Sequence, residues 1–598
     1  MISLVRKNLR RLSALLLVLV LMFSIPGCSF SGKQDKNEIT QQSVTVDNPE
    51  FNTFADNLFK ETIHSDTLSL HAYLENPEDF GIDNYEVSLG RYDLNELDKT
   101  KDISECMSQM NSFERDSLSP RQQLTYDQLK LYLENELEFC DLSLLDSNLS
   151  KTTGIQVQLP LILAEYTLKD EKDVTEYLAL VSDVDGYFQN IVDYEKLRAA
   201  KGYFMEDSIA DGIVEQCQTF VNSAETGVLI TTFNERLDLL SSITPEKKEE
   251  YKISNQNAVR EHVVKGYNIL IQGLQGMKGT NKYNGGLCNY PDGKKFYEYL
   301  IKKDLGWSKS IDEYNALLDS YIKKNMLTMQ MLMSKDNSLI DKFSSFGFSL
   351  TDPIGILDDL KSRIQTDFPD GPEISCEVKK VSESLQDYAS PAMYFTPQID
   401  NLTQNSIYIN PGSTDNSRLY TTLAHEGYPG HMYQMTYFAE TNPTLIRYLI
   451  EPGGYVEGWA TYCELFSYRY ADTDDDNLNA LSRANMATIL CLYAKVDLGI
   501  NYYGWKVDDI FKFISDYGYN DKKIAEEMYS SMVSNPGNYC KYVLGCIGFE
   551  EMKKIAQNKL GDKFCNKDFH KFILDLGPVQ FDIMNERMDE WLKEEAAS

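Results

Sequence analysis

Two histidines and a glutamate lie close together in the segment His425-Glu426-Gly-Tyr-Pro429-Gly430-His431. The whole chain has only six histidines, so this clustering calls for a chemical explanation. Imidazole nitrogens are preferred ligands of zinc, and a carboxylate beside such a metal can act as a general base. The segment is therefore a candidate metal site.

The spacing of the two histidines differs from that of the usual helical zinc motif, in which they lie four residues apart. On an ideal helix six residues rotate by about 240°, which would point the rings of His425 and His431 to different sides. Pro429 has no N–H for a helix and Gly430 accepts unusual dihedral angles, so we expect a bulge or a break that brings the rings together. The alternative is a capped helix and a turn with two surface histidines.

A second segment, Glu457-Gly-Trp459-Ala-Thr-Tyr462-Cys-Glu464, has a helical pattern that puts its two glutamates on nearly the same face. A catalytic zinc site needs three protein ligands and one open position. Glu457, from a following antiparallel helix, is the candidate for the third ligand. Glu464 is a candidate to accept the N–H of a liganding histidine. The alternative is that both are ordinary solvated acids.

Together the two segments, H-E-x-x-P-G-H and E-G-W-A-x-Y-x-E, resemble the bacterial family known as domain of unknown function 885, a relative of the gluzincin metallopeptidases. The resemblance covers about residues 50 to 590. Further segments fit the family pattern, at 290–293, 391–397, 407–410, 535–537 and 569–570. The resemblance implies one zinc ion held by His425, His431 and Glu457. It also implies that Glu426 is the general base.

Two residues near the C-terminus, Tyr542 and His570, lie in segments that match the family and carry hydrogen-bond donors. They are candidates to stabilise an oxyanion, against the alternative of a core tyrosine and a helix-surface histidine. The chain also departs from the family pattern. Asn538-Tyr539 stands where the family usually has Gln-Ala, Val543 where it has lysine and Asn501 where it has histidine. The substrate preference therefore does not follow from the resemblance.

The N-terminus predicts a lipoprotein signal peptide over residues 1–27. Basic residues precede an apolar run over residues 12–25, which is shorter than the roughly 20 residues of a membrane-spanning helix. The run ends in Ile25-Pro26-Gly27-Cys28, which resembles a bacterial lipobox. We expect a lipid at Cys28 and an extracytoplasmic protein anchored to the cell membrane. An ordinary secretory signal with an incidental cysteine is the alternative.

Residues 28–50 are mostly polar and cannot bury enough apolar surface to order themselves, so they are predicted to form a flexible tether. The formal net charge of the chain is −33. Such a surface repels polyphosphates, so we expect no nucleic-acid partner.

The predicted fold is mainly α, a large helical metallopeptidase-like fold with a deep cleft. Apolar residues recur at spacings of three and four in long stretches, among them 122–140, 172–198 and 311–333. Short β-prone runs are concentrated at 374–381, 392–395 and 406–409, and they predict a small sheet or hairpin near the active site. A helical N-terminal region over 51–373 and a zinc-site catalytic region over 374–598 are expected to form one continuous fold.

The sequence thus predicts a zinc-dependent hydrolase of peptide bonds on the outer face of a bacterial membrane, with Tyr394 and Tyr408 as candidates to bind an extended peptide through their backbone edges. Two other classes are considered. A solute-binding lipoprotein would need two α/β lobes, and the alternation of strands and helices that they require is absent from the sequence. A metallopeptidase-derived binding protein without turnover would have no use for Glu426 beside its metal.

Overall fold

A computed structural model describes residues 46–95, 97–151, 153–381, 386, 390–412 and 418–597. The predicted signal peptide, Cys28 and most of the predicted tether lie outside these residues. Helix α1 (Pro49–Ile63) begins directly after Asn48, whose side chain accepts hydrogen bonds from the first N–H groups of the helix. Phe51 in its first turn is fully buried. Among the described residues, regular structure therefore begins at residue 49, just inside the range predicted as tether.

The chain between α1 and the small sheet is helical, as predicted. Its helices are α2 (Thr67–Tyr73), α3 (Thr100–Met110), α4 (Pro120–Cys140), α5 (Ile155–Ala164), α6 (Glu171–Lys201), α7 (Asp207–Ser223), α8 (Val228–Leu239), α9 (Pro245–Ala258), α10 (Val264–Met277), α11 (Gly293–Leu305), α12 (Ile311–Lys335), α13 (Leu339–Ser344) and α14 (Pro353–Arg363). A π-helical segment, Val259–Val263, joins α9 to α10.

Local sequence explains where the longest of these helices begin. Ser119 and Ser310 precede α4 and α12, and each forms a capping box with the residue three positions later. Asp170 caps α6 by accepting two N–H groups of its first turn. These three helices cover the ranges 122–140, 172–198 and 311–333 that the apolar spacing predicts.

The three β-prone runs form one small mixed sheet, which confirms the predicted β element. Its strands are β1 (Ser375–Lys380), β2 (Ala392–Phe395) and β3 (Gln404–Ile409). β3 lies in the centre, parallel to β1 and antiparallel to β2. In register, Ser375 lies opposite Gln404, and Ala392 lies opposite Ile409.

After the sheet the described part of the chain is helical again, from residue 419 to residue 597. These helices are α15 (Leu419–Glu426), α16 (His431–Glu440), α17 (Gly453–Ser467), α18 (Asp476–Asn501), α19 (Val507–Ser515), α20 (Lys522–Ser534), α21 (Asn538–Leu560), α22 (Asn566–Leu576) and α23 (Phe581–Ala597). The main apolar core runs from Leu124 to Leu592 and takes side chains from both predicted regions.

Helices α17 and α21 cross at very short range, and this crossing sets the geometry of the site. A Cβ atom on Gly458 would lie 2.5 Å from the backbone of Gly545, and one on Gly545 would lie 2.1 Å from the carbonyl oxygen of Gly454. Only glycine fits at such a crossing, because any side chain would push the two backbones apart. The close approach brings the candidate ligand Glu457 next to the first turns of α21.

Candidate metal centre

The two histidines meet because the helix breaks between them. Helix α15 ends at Glu426 and α16 begins at His431, as the bulge predicted at Pro429 and Gly430 requires. A Cβ atom on Gly430 would lie 1.8 Å from the carbonyl oxygen of His425, so the backbone can fold back on itself only with glycine there. The ring centroids of His425 and His431 are 4.8 Å apart.

A side chain of α17 stabilises the turn between α15 and α16. The indole N–H of Trp459 donates a hydrogen bond of 2.9 Å to the carbonyl oxygen of Pro429. Trp459 itself is completely buried and packs edge-on against Phe368. The tryptophan of the second sequence segment therefore fixes the backbone of the first.

We expect that Gly430→Ala lowers the free energy of unfolding by about 2 kcal/mol, the usual scale for overpacking, and that it reduces bound metal because His431 is displaced. Gly276→Ala is the matched control, since a Cβ at Gly276 in α10 meets no atom within 4 Å. Chemical denaturation and metal analysis of both variants check this. A Gly430→Ala variant as stable as Gly276→Ala, with unchanged metal content, would contradict the tight-turn explanation.

Three side chains converge into a group that can hold a metal ion: His425, His431 and Glu457 each offer a ligand atom, and these atoms lie within 4.8 Å of one another. The Oε2 atom of Glu457 is 3.4 Å from Nε2 of His431 and 3.7 Å from Nε2 of His425. The side chains are only 13–17% exposed. The structure thus brings together the three residues that the sequence analysis proposes as ligands.

Glu464 lies on the other side of the His425 ring. Its Oε2 atom is 3.5 Å from Nδ1 of His425, and its Oε1 atom is 3.4 Å from the guanidinium of Arg418. The carboxylate can therefore orient the imidazole so that Nε2 points into the cluster, which is the contact expected of Glu464. The contact of Arg418 with Glu464 could not be predicted from the sequence, because Arg418 lies outside both motifs.

Glu426 is the last residue of α15 and lies beside the cluster. Its Oε2 atom accepts a hydrogen bond of 2.8 Å from the backbone N–H of Tyr394 in β2. Burial raises the pKa of the Glu426 carboxyl, and the nearby His425 and His431 oppose that rise. The sheet thus places one edge of β2 against the residue predicted to act as a base.

Charge balance within the cluster depends on the carboxylates. Burial lowers the pKa of His425, but contacts with Glu457 and Glu464 outweigh it and raise that pKa to about 10. For Glu457, burial raises the pKa of the carboxyl, and the contacts with the two histidines bring it well below its usual range. The imidazole of His425 is therefore protonated near neutral pH and pairs with the carboxylates of Glu457 and Glu464.

Tyr542 lies in the cluster, whereas His570 does not. The ring of Tyr542 stacks beside that of His425 with centroids 6.3 Å apart. Burial, and then the negative charge of Glu457 and a side-chain hydrogen bond to it, raise the pKa of the Tyr542 hydroxyl well above its usual value. The hydroxyl therefore keeps its proton and can donate it in a hydrogen bond.

The donor role predicted for His570 needs correction. Its side chain is completely buried, its Nδ1–H donates a 2.6 Å hydrogen bond to the carbonyl oxygen of Asp367, and its Nε2 accepts a 2.8 Å hydrogen bond from Tyr462. Burial lowers its pKa well below the usual range, so the ring is neutral. With both nitrogens engaged, His570 is neither an oxyanion donor nor the helix-surface residue of the alternative, but a core histidine.

Asn501, which replaces the usual histidine of the family pattern, has a structural role in the core. Its side-chain amide donates to Asp497 at 3.0 Å, and Asp497 in turn accepts the backbone N–H of Gly537 at 3.0 Å, directly before α21. Burial raises the pKa of Asp497 to about 6, against the hydrogen bonds that it accepts. The sequence analysis did not assign this buried role to Asp497. An acidic residue within the apolar run of α18 could have indicated it.

A cleft of about 190 Å³ leads to the candidate site and is lined there by Glu457 and Lys541. It is lined by residues within 145–158, 198–209, 285–304, 451–457 and 533–541. Residues from both predicted regions thus line one cleft, in agreement with the predicted cleft. A mainly helical fold with a cleft that reaches the candidate metal group at Glu457 agrees with the architecture that the sequence predicts.

The chain belongs to the family described as bacterial protein of unknown function (DUF885), whose model matches residues 80–588. A crystal structure described as a "putative lipoprotein" from Colwellia psychrerythraea has the same fold, with a TM-score of 0.78 at 19% identity over 91% of this chain and 99% of that chain. A "putative lipoprotein of unknown function" from Shewanella oneidensis matches with a TM-score of 0.60 at 16% identity, over 90% and 98% of the two chains.

A structure described as a "putative oligoendopeptidase F" from Bacillus anthracis matches with a TM-score of 0.28 at 9% identity, over 85% of this chain and 95% of that chain, and this likeness is too distant to support an argument about the site. No curated protein matches the chain. In the part of the chain that the structure describes, every helix is too short or too polar to cross a membrane.

Proposed function

We propose that this protein is a zinc-dependent peptidase whose metal is held by His425, His431 and Glu457. The observation that carries the proposal is the convergence of these three side chains with Glu426 beside them, where Glu457 lines a cleft. A group of two imidazoles and a carboxylate with an adjacent second carboxylate is the arrangement used by glutamate-type zinc peptidases.

The donor set fits zinc. Two ligand atoms, each about 2.05 Å from a tetrahedral zinc ion, lie about 3.3 Å apart. The Oε2 atom of Glu457 is 3.4 and 3.7 Å from the two imidazole nitrogens, close to that value. The three ligand atoms as a group lie within 4.8 Å of one another, so the side chains would close in slightly around a bound ion. Nitrogen and mixed nitrogen–oxygen ligands suit zinc better than calcium or magnesium, which prefer oxygen alone.

The proposed roles of the protein side chains follow from their positions. A zinc ion at this site supplies a Lewis acid that polarises a carbonyl group and lowers the pKa of water toward about 7. Glu426 accepts a proton from the attacking water and delivers it to the leaving amine. Its hydrogen bond from the N–H of Tyr394 holds one carboxylate oxygen and leaves the other for this proton transfer.

Tyr542 is the proposed donor to the oxyanion that forms from the substrate carbonyl. Its hydroxyl remains protonated, and its ring lies against His425 at the site. A positioned donor of this kind stabilises the charge that develops in the transition state. His570 has no part in this step, because both of its ring nitrogens are bonded within the core.

The sequence predicts that Tyr394 and Tyr408 bind a peptide through their backbone edges, and the structure does not support this use of their N–H groups. The N–H of Tyr394 already donates to Glu426, and Tyr408 lies in the central strand β3, which is paired on both sides. The hydroxyl of Tyr408 donates to Glu165 at 2.6 Å. Neither tyrosine therefore offers its N–H to a peptide, and we propose that the cleft itself holds the peptide substrate.

The two alternatives are distinguished by fold and by turnover. A solute-binding protein with two α/β lobes does not agree with a mainly helical fold that has one small sheet among its described residues. A binding protein without turnover has the same fold as a peptidase and differs only in activity.

Zinc analysis of the purified protein tests the proposed metal site. We expect one zinc ion per chain that chelation removes, and a protein that takes up no zinc would contradict the proposal.

We further propose that the protein is held at the outer face of the membrane by a lipid on Cys28, as the lipobox-like sequence and the lipoprotein descriptions of its structural relatives suggest. Cys28→Ser is expected to release the protein from washed membranes or to leave its precursor uncleaved. Cys565→Ser, which alters an exposed cysteine, is the control. Membrane fractionation checks this, and equal retention of Cys28→Ser and wild type after a salt wash would contradict it.

A further inference from the structure

The two oxygens of Glu457 have different neighbours. Oε2 faces the imidazoles of His425 and His431, at 3.7 and 3.4 Å. Oε1 lies instead 3.8 Å from the ammonium nitrogen of Lys541, in the first turn of α21. One oxygen of this carboxylate thus faces the two candidate histidine ligands, and the other faces a positively charged lysine.

Lys541 is held in place on several sides. Its ammonium lies over the ring of Tyr542, 5.4 Å from the centroid, and its side chain is only 14% exposed. The carboxylate of Asp304 packs against Gly453 together with the Lys541 side chain, and the two charges attract. The N-terminus of α21 is in turn fixed by the hydrogen bond from Gly537 to Asp497. These contacts all favour a position of the ammonium near Oε1.

We propose that Lys541 is a positioning residue that occupies one oxygen of Glu457, so that the carboxylate binds a metal through the other oxygen alone. The inference rests on the proposed metal site. A carboxylate that bound through both oxygens would take up the coordination position that a hydrolytic zinc site must leave open. The ammonium would also lie near a metal bound by Glu457, so it would weaken metal binding while it keeps that position free.

This role predicts an unusual pair of effects. Lys541→Met has nearly the same length and no charge, so Oε1 becomes available and the repulsion of the metal disappears. Zinc should then bind about tenfold more tightly, because a unit charge has been removed beside a dication in a partly buried site. Hydrolysis should fall at the same time. A lysine that only stabilises the fold would give weaker binding of metal when it is removed.

The test uses the mature chain loaded with Co²⁺ in place of zinc, because the intensity of the visible absorption of Co²⁺ falls as its coordination number rises. Wild type and Lys541→Arg are expected to give the same intense absorption, and Lys541→Met a weaker one. Lys302→Met, which changes a half-exposed lysine paired with Glu138, is the matched control. Competition with a chelator gives the zinc affinity of each variant, and circular dichroism verifies its fold.

An unchanged Co²⁺ spectrum in Lys541→Met, or weaker binding of zinc by this variant, would overturn the role of Lys541 and leave the metal site standing. Failure of every protein, including wild type, to bind Co²⁺ would refute the metal site and this role with it. If Lys541→Met does not fold, Lys541→Gln is judged by the same two readings. A weaker spectrum together with tighter zinc binding supports the proposal.

Discussion

Glu426→Gln is expected to lower peptide hydrolysis by about 10² or more, the scale of a lost general base, while zinc remains bound. Glutamine keeps the size of the side chain and can still accept the hydrogen bond from Tyr394, but it cannot take up a proton. Glu426 does not supply any of the three candidate ligand atoms, so added zinc should not restore the activity of Glu426→Gln. Steady-state kinetics and zinc analysis of the same preparation measure both quantities.

Glu440→Gln provides the control for this change, because Glu440 is an exposed residue at the end of α16. It should have wild-type activity and zinc content. If Glu426→Gln hydrolysed peptides at the wild-type rate, another group would have to act as the base and the proposed mechanism would be wrong. If it lost its zinc instead, Glu426 would have to be reassigned as a ligand.

Glu457→Gln and His431→Ala are expected to behave in the opposite way, with loss of zinc as the primary effect. Each change removes one of three ligand atoms, and Glu457→Gln also replaces an anion by a neutral, weaker ligand. The affinity for zinc should fall by more than the roughly 10–100-fold that is typical for loss of a residue that only supports a ligand. Excess zinc should return part of the activity of Glu457→Gln.

His262→Ala is the control for the histidine change, because His262 lies in the π-helical segment and pairs with Asp185 away from the cluster. Its zinc affinity should equal that of wild type. Chelator competition is the measurement. A His431→Ala protein that bound zinc and hydrolysed peptides like wild type would show that the pairing of the two histidines across the Pro429–Gly430 break is wrong.

The residue types and spacings predicted the candidate ligands because the break between His425 and His431 is a local property. Proline and glycine interrupt a helix wherever they stand, so the sequence indicated that the two rings could meet. The reason that glycine is needed at position 430 is also local, since its neighbour is the carbonyl oxygen of His425. The mainly helical fold and the small sheet were predicted for the same reason, from periodicities within single elements.

The contacts that could not be predicted join elements far apart in the chain. Lys541 meets Glu457 only because α17 and α21 cross at Gly458 and Gly545, a packing that no periodicity reports. His570 was predicted to be an oxyanion donor, with a helix-surface histidine as the alternative, but Phe368 stacks on its ring with centroids 4.0 Å apart in the core. Burial of a single polar side chain depends on partners from other elements, so the sequence did not distinguish Tyr542 from His570.

Digestion of a defined peptide library by the zinc-loaded mature protein, read out by mass spectrometry, tests the central claim most directly. The expected result is a set of new peptide termini that appears with wild type, disappears on chelation, returns with added zinc and is absent with Glu426→Gln. The positions of the new termini would also show whether the enzyme cleaves at chain ends or within the chain. An intact library after digestion with protein that contains one zinc ion per chain would contradict the claim that this metal site hydrolyses peptides.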